Sequence, residues 1–166
     1  MATHHITDAE VADEPPAAGF RLPEGTTHLI GHNVDFDWKV IGEPDVKRIC
    51  TLALARRMWP DMDSHSLGAC IYRVLPAAEA REVLRSAHNA WADVLMCAEV
   101  LRAICAAFGP KDLDDLWRMS EEARVPTHLN FGKHKGVAIA DVPRDYKAWL
   151  LRQPDLDPYL MKALRA

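Results

Sequence analysis

Residues 90–108 constrain this chain more than any other stretch. Ala90 to Phe108 reads as one long helix, closed by Gly109 and Pro110, the Gly-then-Pro stop of a helix end. At roughly 100° per residue, Trp91, Val94, Leu95, Ala98, Leu101, Cys105 and Phe108 share one arc, and Cys97, Val100 and Ile104 widen it. Only Glu99, Arg102 and Ala103 are left for water, so the helix is expected to be covered around most of its girth. Asp93 projects into this arc, one turn from the helix start. A carboxylate placed there must be paired, hydrogen-bonded or bound to a cation, because burying it bare costs several kcal/mol. Stabilisation by the helix macrodipole is the local alternative.

A short pattern around that Asp occurs twice. His32-Asn33-Val34-Asp35-Phe36-Asp37 and His88-Asn89-Ala90-Trp91-Ala92-Asp93 both read His-Asn, three residues, Asp. The first copy ends an apolar strand-like run, Thr27-His28-Leu29-Ile30-Gly31, and opens a short helix that stops near Gly42. Each copy therefore puts an Asp in the first turn of a helix, where both can face one site. The pair resembles the second and third motifs of the DnaQ-like 3′–5′ exonucleases of the DEDDh type, within the ribonuclease H-like superfamily. The resemblance implies that Asp37 and Asp93 are metal ligands, that His88 is a general base, and that His32, Asn33, Phe36 and Asn89 lie against the substrate.

The rest of the chain reads as alternating elements. Thr7-Asp8-Ala9-Glu10 is a capping box that opens a short helix ended by Pro15-Pro16. A second strand is expected over Asp45–Cys50, with Thr51 capping a helix to Trp59 that Pro60 stops. A helix from Ser64-His65-Ser66 to about Leu75, another from Pro76 through Arg85, and one over Lys111–Ala123 follow. This β–α–β–α order predicts a parallel α/β sheet, although two strands are few for so many helices. Val125-Pro126 begins a segment of different character. There Phe131-Gly132-Lys133-His134-Lys135-Gly136 is a turn between short β segments, Val137–Val142 alternates weakly, and Asp145–Arg152 and Pro158–Leu164 look helical.

Phe-Gly-Lys-x-Lys-Gly, then Asp-Val-Pro and Tyr-x-x-Trp-Leu, resembles the small C-terminal module of the exodeoxyribonuclease X-like proteins. Together with the start at Thr3-His4-His5-Ile6 and the run Cys50 to Pro60, the resemblance covers essentially the whole chain. The expected organisation is a partial ribonuclease H-like exonuclease domain over residues 1–109, a connecting helix over 110–125, and an α+β module over 126–166.

The resemblance also implies two-metal chemistry, in which divalent ions hold an attacking water and the leaving oxygen in line. Oxygen ligands suit Mg²⁺ or Mn²⁺, and a near-neutral His deprotonates the water. Such a site normally has four carboxylates, two of them from an Asp-x-Glu on a first strand, and that motif is expected to be absent here. Asp8-Ala9-Glu10 spells it, but the capping box explains those residues locally. The activity of the chain as written is therefore doubtful, and a non-catalytic nucleic-acid-binding or regulatory protein is the alternative.

Other candidates have plainer readings. His28 is expected to be a structural strand histidine and His65 a helix cap, while Asp35, Asp61 and Asp63 are helix-start or loop carboxylates. Trp91 and Trp117 are expected in the core. Lys133 and Lys135 either meet phosphates or form a solvated tip. A net charge of −4 argues against a broad basic surface, yet residues 126–166 carry seven Lys/Arg against four Asp. No apolar run is long enough for a membrane span, and four scattered cysteines, with Cys97 and Cys105 on the long helix, suit a reducing, cytoplasmic setting. The expected partner is nucleic acid, at single-stranded or duplex 3′ ends.

Overall fold

Two short strands set the frame of the first part of the protein. The computed structural model describes residues 7–16, 19–85 and 89–166, and the chain divides into two compact units, one ending at Ser120 and one spanning Glu121–Ala166. In the first, β1 (His28–Gly31) and β2 (Lys47–Cys50) pair in parallel, with His28 opposite Lys47 and Gly31 opposite Cys50. Parallel pairing demands a crossover, and α2 (Val34–Val40) lies within it. Asn33 enters α2 with φ of 70°, a left-handed conformation that its short polar side chain tolerates. The short helix read at Asp8 is present as α1 (Asp8–Val11).

Five further helices follow the strands. They are α3 (Thr51–Met58), α4 (Leu67–Val74), α5 (Ala77–Leu84), α6 (Ala90–Phe108) and α7 (Leu113–Arg124). Ser66, not His65, caps α4, its hydroxyl accepting from the Ala69 N–H at 3.3 Å. The expected cap Thr51 is instead the first helical residue of α3, and Cys50 stands at the N-cap.

The long helix is where the periodicity misleads. α6 packs on α3 and α4 through Met96, Val100 and Ile104, each 2% exposed or less. Trp91, Val94 and Leu95, placed in the core by the sequence arc, are 70%, 58% and 50% exposed. The reason is that α6 is apolar on nearly every side. A 3.6-residue period then cannot say which face a neighbour will cover, and the row spaced by four wins the contact with α3 and α4.

Polar ties fix α7 against the strands. The Cys50 N–H donates to the buried Ser120 hydroxyl at 2.8 Å, which satisfies a donor at the end of β2. Asp114 gathers the Lys47 ammonium at 2.6 Å and the His28 ring at 2.9 Å, and these partners hold its carboxyl below the usual range. His28 is thus a structural histidine, as its strand position suggested. Lys47 also lies over the Trp117 ring, 5.0 Å from its centre.

The second unit has its own core of Leu129, Ile139, Val142, Leu150, Leu160 and Leu164. Around it lie α8 (Arg144–Leu150) and α9 (Pro158–Arg165), the latter capped by the Asp157 carboxylate at the Tyr159 and Leu160 N–H groups. The β segments expected here reduce to a single antiparallel bridge, His128 with Ala138. Residues Ile139–Asp141 form a 3-10 turn instead. Ile139 and Val142 are three apart and both buried; a three-residue turn points both inward, whereas a strand would send them to opposite faces.

The end of α7 is tied to α9 within this unit. Arg124 donates to the Tyr159 hydroxyl at 2.7 Å, and that hydroxyl donates to the Glu121 carboxylate at 2.8 Å. Burial and the Glu121 hydrogen bond push the Tyr159 phenol up to about 12. Among the described residues, no helix is long and apolar enough to cross a membrane.

Tyr159→Phe should therefore cost about 1–3 kcal/mol of stability, read by urea denaturation at neutral pH. Because the folded phenol titrates near 12 against an ordinary 10.0, its contribution is complete below pH 10 and is lost as pH rises through the folded value. The Phe variant should lack that alkaline loss; an identical alkaline profile in both proteins would rule the tie out.

Candidate functional site

Because β1 and β2 are parallel, their carboxyl ends Gly31 and Cys50 lie side by side. In open α/β sheets, ligands bind off that edge. Two segments leave it here: His32-Asn33 into α2, and Thr51 into α3. The long helix α6 reaches the same place through Cys97. Its thiol lies 3.5 Å from the Thr51 hydroxyl and accepts the backbone N–H of His32.

One of the carboxylates named from the sequence, Asp37, neighbours this thiol, and the other lies on the same helix as it. Asp37, in α2, acts on Cys97 electrostatically and helps raise its pKa, although burial is the larger cause. Asp93 is half-buried on α6, one turn before Cys97 on the same helix face. The Asp37 carboxyl is itself held above the usual range by burial, with a backbone hydrogen bond pulling the other way. A carboxylate so desolvated gains when a cation approaches. Asp35 is directed elsewhere: it pairs with Arg48 at 2.7 Å, whose guanidinium lies over Trp38, 4.1 Å from the ring centre.

Behind the carboxylates, His32 is locked by its neighbours. Its Nε2 lies 2.8 Å from the His65 carbonyl oxygen, so Nε2 carries the proton. Nδ1 is then an acceptor, and the Thr51 hydroxyl donates to it at 3.0 Å. The Thr51 oxygen is left to accept from the Cys97 thiol. Burial lowers the His32 pKa, outweighing its bond to the His65 carbonyl, and Arg56 lowers it further. The ring is neutral and both nitrogens are engaged within the protein.

The remaining sequence candidates are scattered in role. Asn89 caps α6, its side-chain oxygen accepting from the N–H groups of Trp91 at 3.0 Å and Ala92 at 3.4 Å. Asn33 makes the left-handed entry to α2 with no side-chain cap bond, and Phe36 is 67% exposed. His88 lies outside the described residues. Lys133 and Lys135 are exposed on a turn of the second unit, where the carbonyl of Gly132 accepts from Lys135 N–H at 3.2 Å.

Two residues of this edge, Thr51 and Cys97, had been given other parts by the sequence. Thr51 is fully buried; a hydroxyl between a strand ending in Ile49-Cys50 and an apolar helix is the one signal that could have marked it.

Among the described residues, no three His, Cys, Asp or Glu side chains gather as a metal cage. Two carboxylate oxygens nonetheless suit a hard ion such as Mg²⁺, which binds through one or two carboxylates and completes its shell with water and phosphate oxygens. The soft Cys97 thiol, its pKa raised, is the wrong donor for it. Of the groups at this edge, the carboxylates of Asp37 and Asp93 are the ones that would suit such an ion.

Comparison with known proteins finds relatives by sequence. Exodeoxyribonuclease 10 of Escherichia coli strain K12 is 31% identical over 171 aligned positions, covering 99% of this chain and 76% of that protein. The protein of the same name from Escherichia coli O6:H1 strain CFT073 matches to the same extent. No protein-family model and no solved structure matches the chain.

Thr51→Val keeps the shape and removes the hydroxyl, which leaves His32 Nδ1 without its donor. It should cost about 1–3 kcal/mol by chemical denaturation. The pH response has a definite sign. With its folded pKa below 6.5, His32 contributes stability that is complete above 6.5 and lost as pH falls through the folded value. His32→Gln should flatten that acid limb; an unchanged limb would show that the ring is not held neutral.

Proposed function

The chain belongs to the exodeoxyribonuclease 10 family, and from that premise we propose that it is a metal-dependent 3′–5′ exonuclease of the DEDDh type acting on DNA. The observation that carries this reading is the desolvated Asp37 carboxyl beside Cys97 of α6 at the carboxyl edge of the two strands, with Asp93 one turn earlier on α6. Asp37 and Asp93 would hold Mg²⁺ or Mn²⁺. A divalent ion bound there supplies Lewis acidity and a template for the attacking water and the departing oxygen.

The chain's own residues divide the remaining work. His88 takes the proton of the water whose oxygen attacks the terminal phosphodiester, and the 3′-oxygen of the shortened strand leaves. Phe36, exposed beside Asp37, offers a ring to the terminal base. Asn33 aims the β1–α2 turn at the substrate, while His32 and Asn89 hold that turn and the start of α6 in place. Lys133 and Lys135 meet phosphates. A cytoplasmic location accords with cysteines that are free at Cys50, Cys70, Cys97 and Cys105; DNA repair is a fitting context for trimming 3′ ends.

A second reading, a DNA-binding protein without catalysis, draws on the absence of any three-ligand cluster among the described residues.

Metal response and digestion separate the two. Millimolar Mn²⁺ should raise the melting temperature, and Asp37→Asn or Asp93→Asn should abolish that rise. Without metal, Asp93→Asn should melt at the same temperature or higher, since a half-buried charge is gone. Any cleavage of a 3′-labelled oligonucleotide in Mg²⁺ or Mn²⁺ should fall further in His88→Ala. DNA binding with no metal-dependent stabilisation and no cleavage would favour the second reading.

A further inference from the structure

The second unit carries an aromatic ladder that phosphodiester hydrolysis does not use, bordered by Lys133 and Lys135. Tyr146 and Trp149 lie one turn apart on α8, their ring centres 5.3 Å apart and tilted by 33°. His134, on the turn, meets Tyr146 edge-on at 4.6 Å and 68°. The turn is fitted to the tyrosine. Gly132 has φ of +71°, and a Cβ there would stand 2.5 Å from the Tyr146 hydroxyl, so a side chain at this position would strain the backbone and displace the tyrosine.

The outer ring of the ladder has no place in the core. Leu150 is 1% exposed and fills the core beside it, whereas Trp149 is 47% exposed and Phe131, next to Gly132, is 42% exposed. Large aromatic surface in water forgoes burial energy, which a ligand with flat apolar faces restores. The charge around it is one-sided. Residues 131–152 hold five Lys/Arg (Lys133, Lys135, Arg144, Lys147, Arg152) against Asp141 and Asp145. Lys133 and His134 are the central residues of the turn closed by the Lys135 N–H on the Gly132 carbonyl, so the two lysines flank the histidine that abuts the ladder.

We propose that this face binds single-stranded DNA, one or more bases stacking on Trp149 beside Tyr146 while Lys133 and Lys135 meet the adjoining phosphates. Stacking needs a free base face, which a duplex hides; a phosphate chain matches the local excess of cations. The inference rests on the nuclease reading only in taking DNA as the polymer. It assigns the second unit the task of holding the strand.

The test is fluorescence anisotropy of a labelled oligothymidine of about twenty nucleotides, longer than one stacking platform needs, with the full chain in EDTA. Trp149→Ala should weaken binding roughly 5- to 150-fold and leave the salt dependence unchanged, while Trp149→Phe retains most of the affinity. Lys133→Ala with Lys135→Ala should instead make the salt slope shallower by about one to two. A blunt duplex of equal length should bind more weakly and ignore Trp149→Ala. Circular dichroism and melting temperature establish that each variant folds. Unchanged oligothymidine affinity in a folded Trp149→Ala protein, or an equal loss on the duplex, would overturn the proposal. Since EDTA removes catalysis, that failure would leave Asp37 and Asp93 untouched, and loss of the metal response would leave this face untouched.

Discussion

The His32 imidazole and the groups it engages hold the first unit's working edge together. One residue links the turn after β1, the Thr51 hydroxyl at the head of α3, the His65 carbonyl before α4, and through its backbone the Cys97 thiol of α6. Buried polar groups must all be paired at once. The Nε2 proton goes to a carbonyl, so Nδ1 must find a hydroxyl, and that hydroxyl in turn faces the thiol. Few placements of α6 satisfy the whole chain of donors and acceptors. Cys97 of α6 is carried to the strand edge by this requirement, beside Asp37 of α2.

The apolar contacts agree with the polar ones. Met96, Val100 and Ile104 seat α6 on α3 and α4, and the same rotation of the helix turns Cys97 toward His32 while leaving Trp91, Val94 and Leu95 in water. Ser120 and Asp114 secure α7 to the strands by direct hydrogen bonds. The second unit solves its own packing separately. A 3-10 turn brings Ile139 and Val142 into one core, Tyr159 ties α9 to the end of α7, and Trp149 is left at the surface because Leu150 already fills the inner face of α8.

Much of this was legible in the residues. The β–α–β alternation implied parallel strands, and β1 and β2 are parallel; the Gly109-Pro110 stop, the strand role of His28 and the two tail helices stand where the local signals put them. The resemblance to exonuclease X-like proteins agrees with the relatives found. The paired His-Asn-x3-Asp segments pointed to two helix starts, and Asp37 and Asp93 lie in the first turns of α2 and α6. What the residues could not reveal was which of several equivalent donors and faces would be used. His32 and Asn89 look like substrate-facing side chains in the motif, yet in the fold they serve as a locked link and a helix cap.

Local order, then, is the sequence's own doing: helix stops, caps, strand composition and the spacing that puts an acid in a first turn all act over a few residues, and each can be read without knowing a neighbour. Tertiary structure alone decided the rest. A helix apolar on every side has no preferred face until α3 and α4 choose one, Ile139 and Val142 turn inward together only because a core waits for both, and Thr51 becomes central only because His32 and Cys97 arrive at it from distant parts of the chain. Those choices depend on pairing and packing between segments far apart in sequence, and no periodicity within a single segment encodes them.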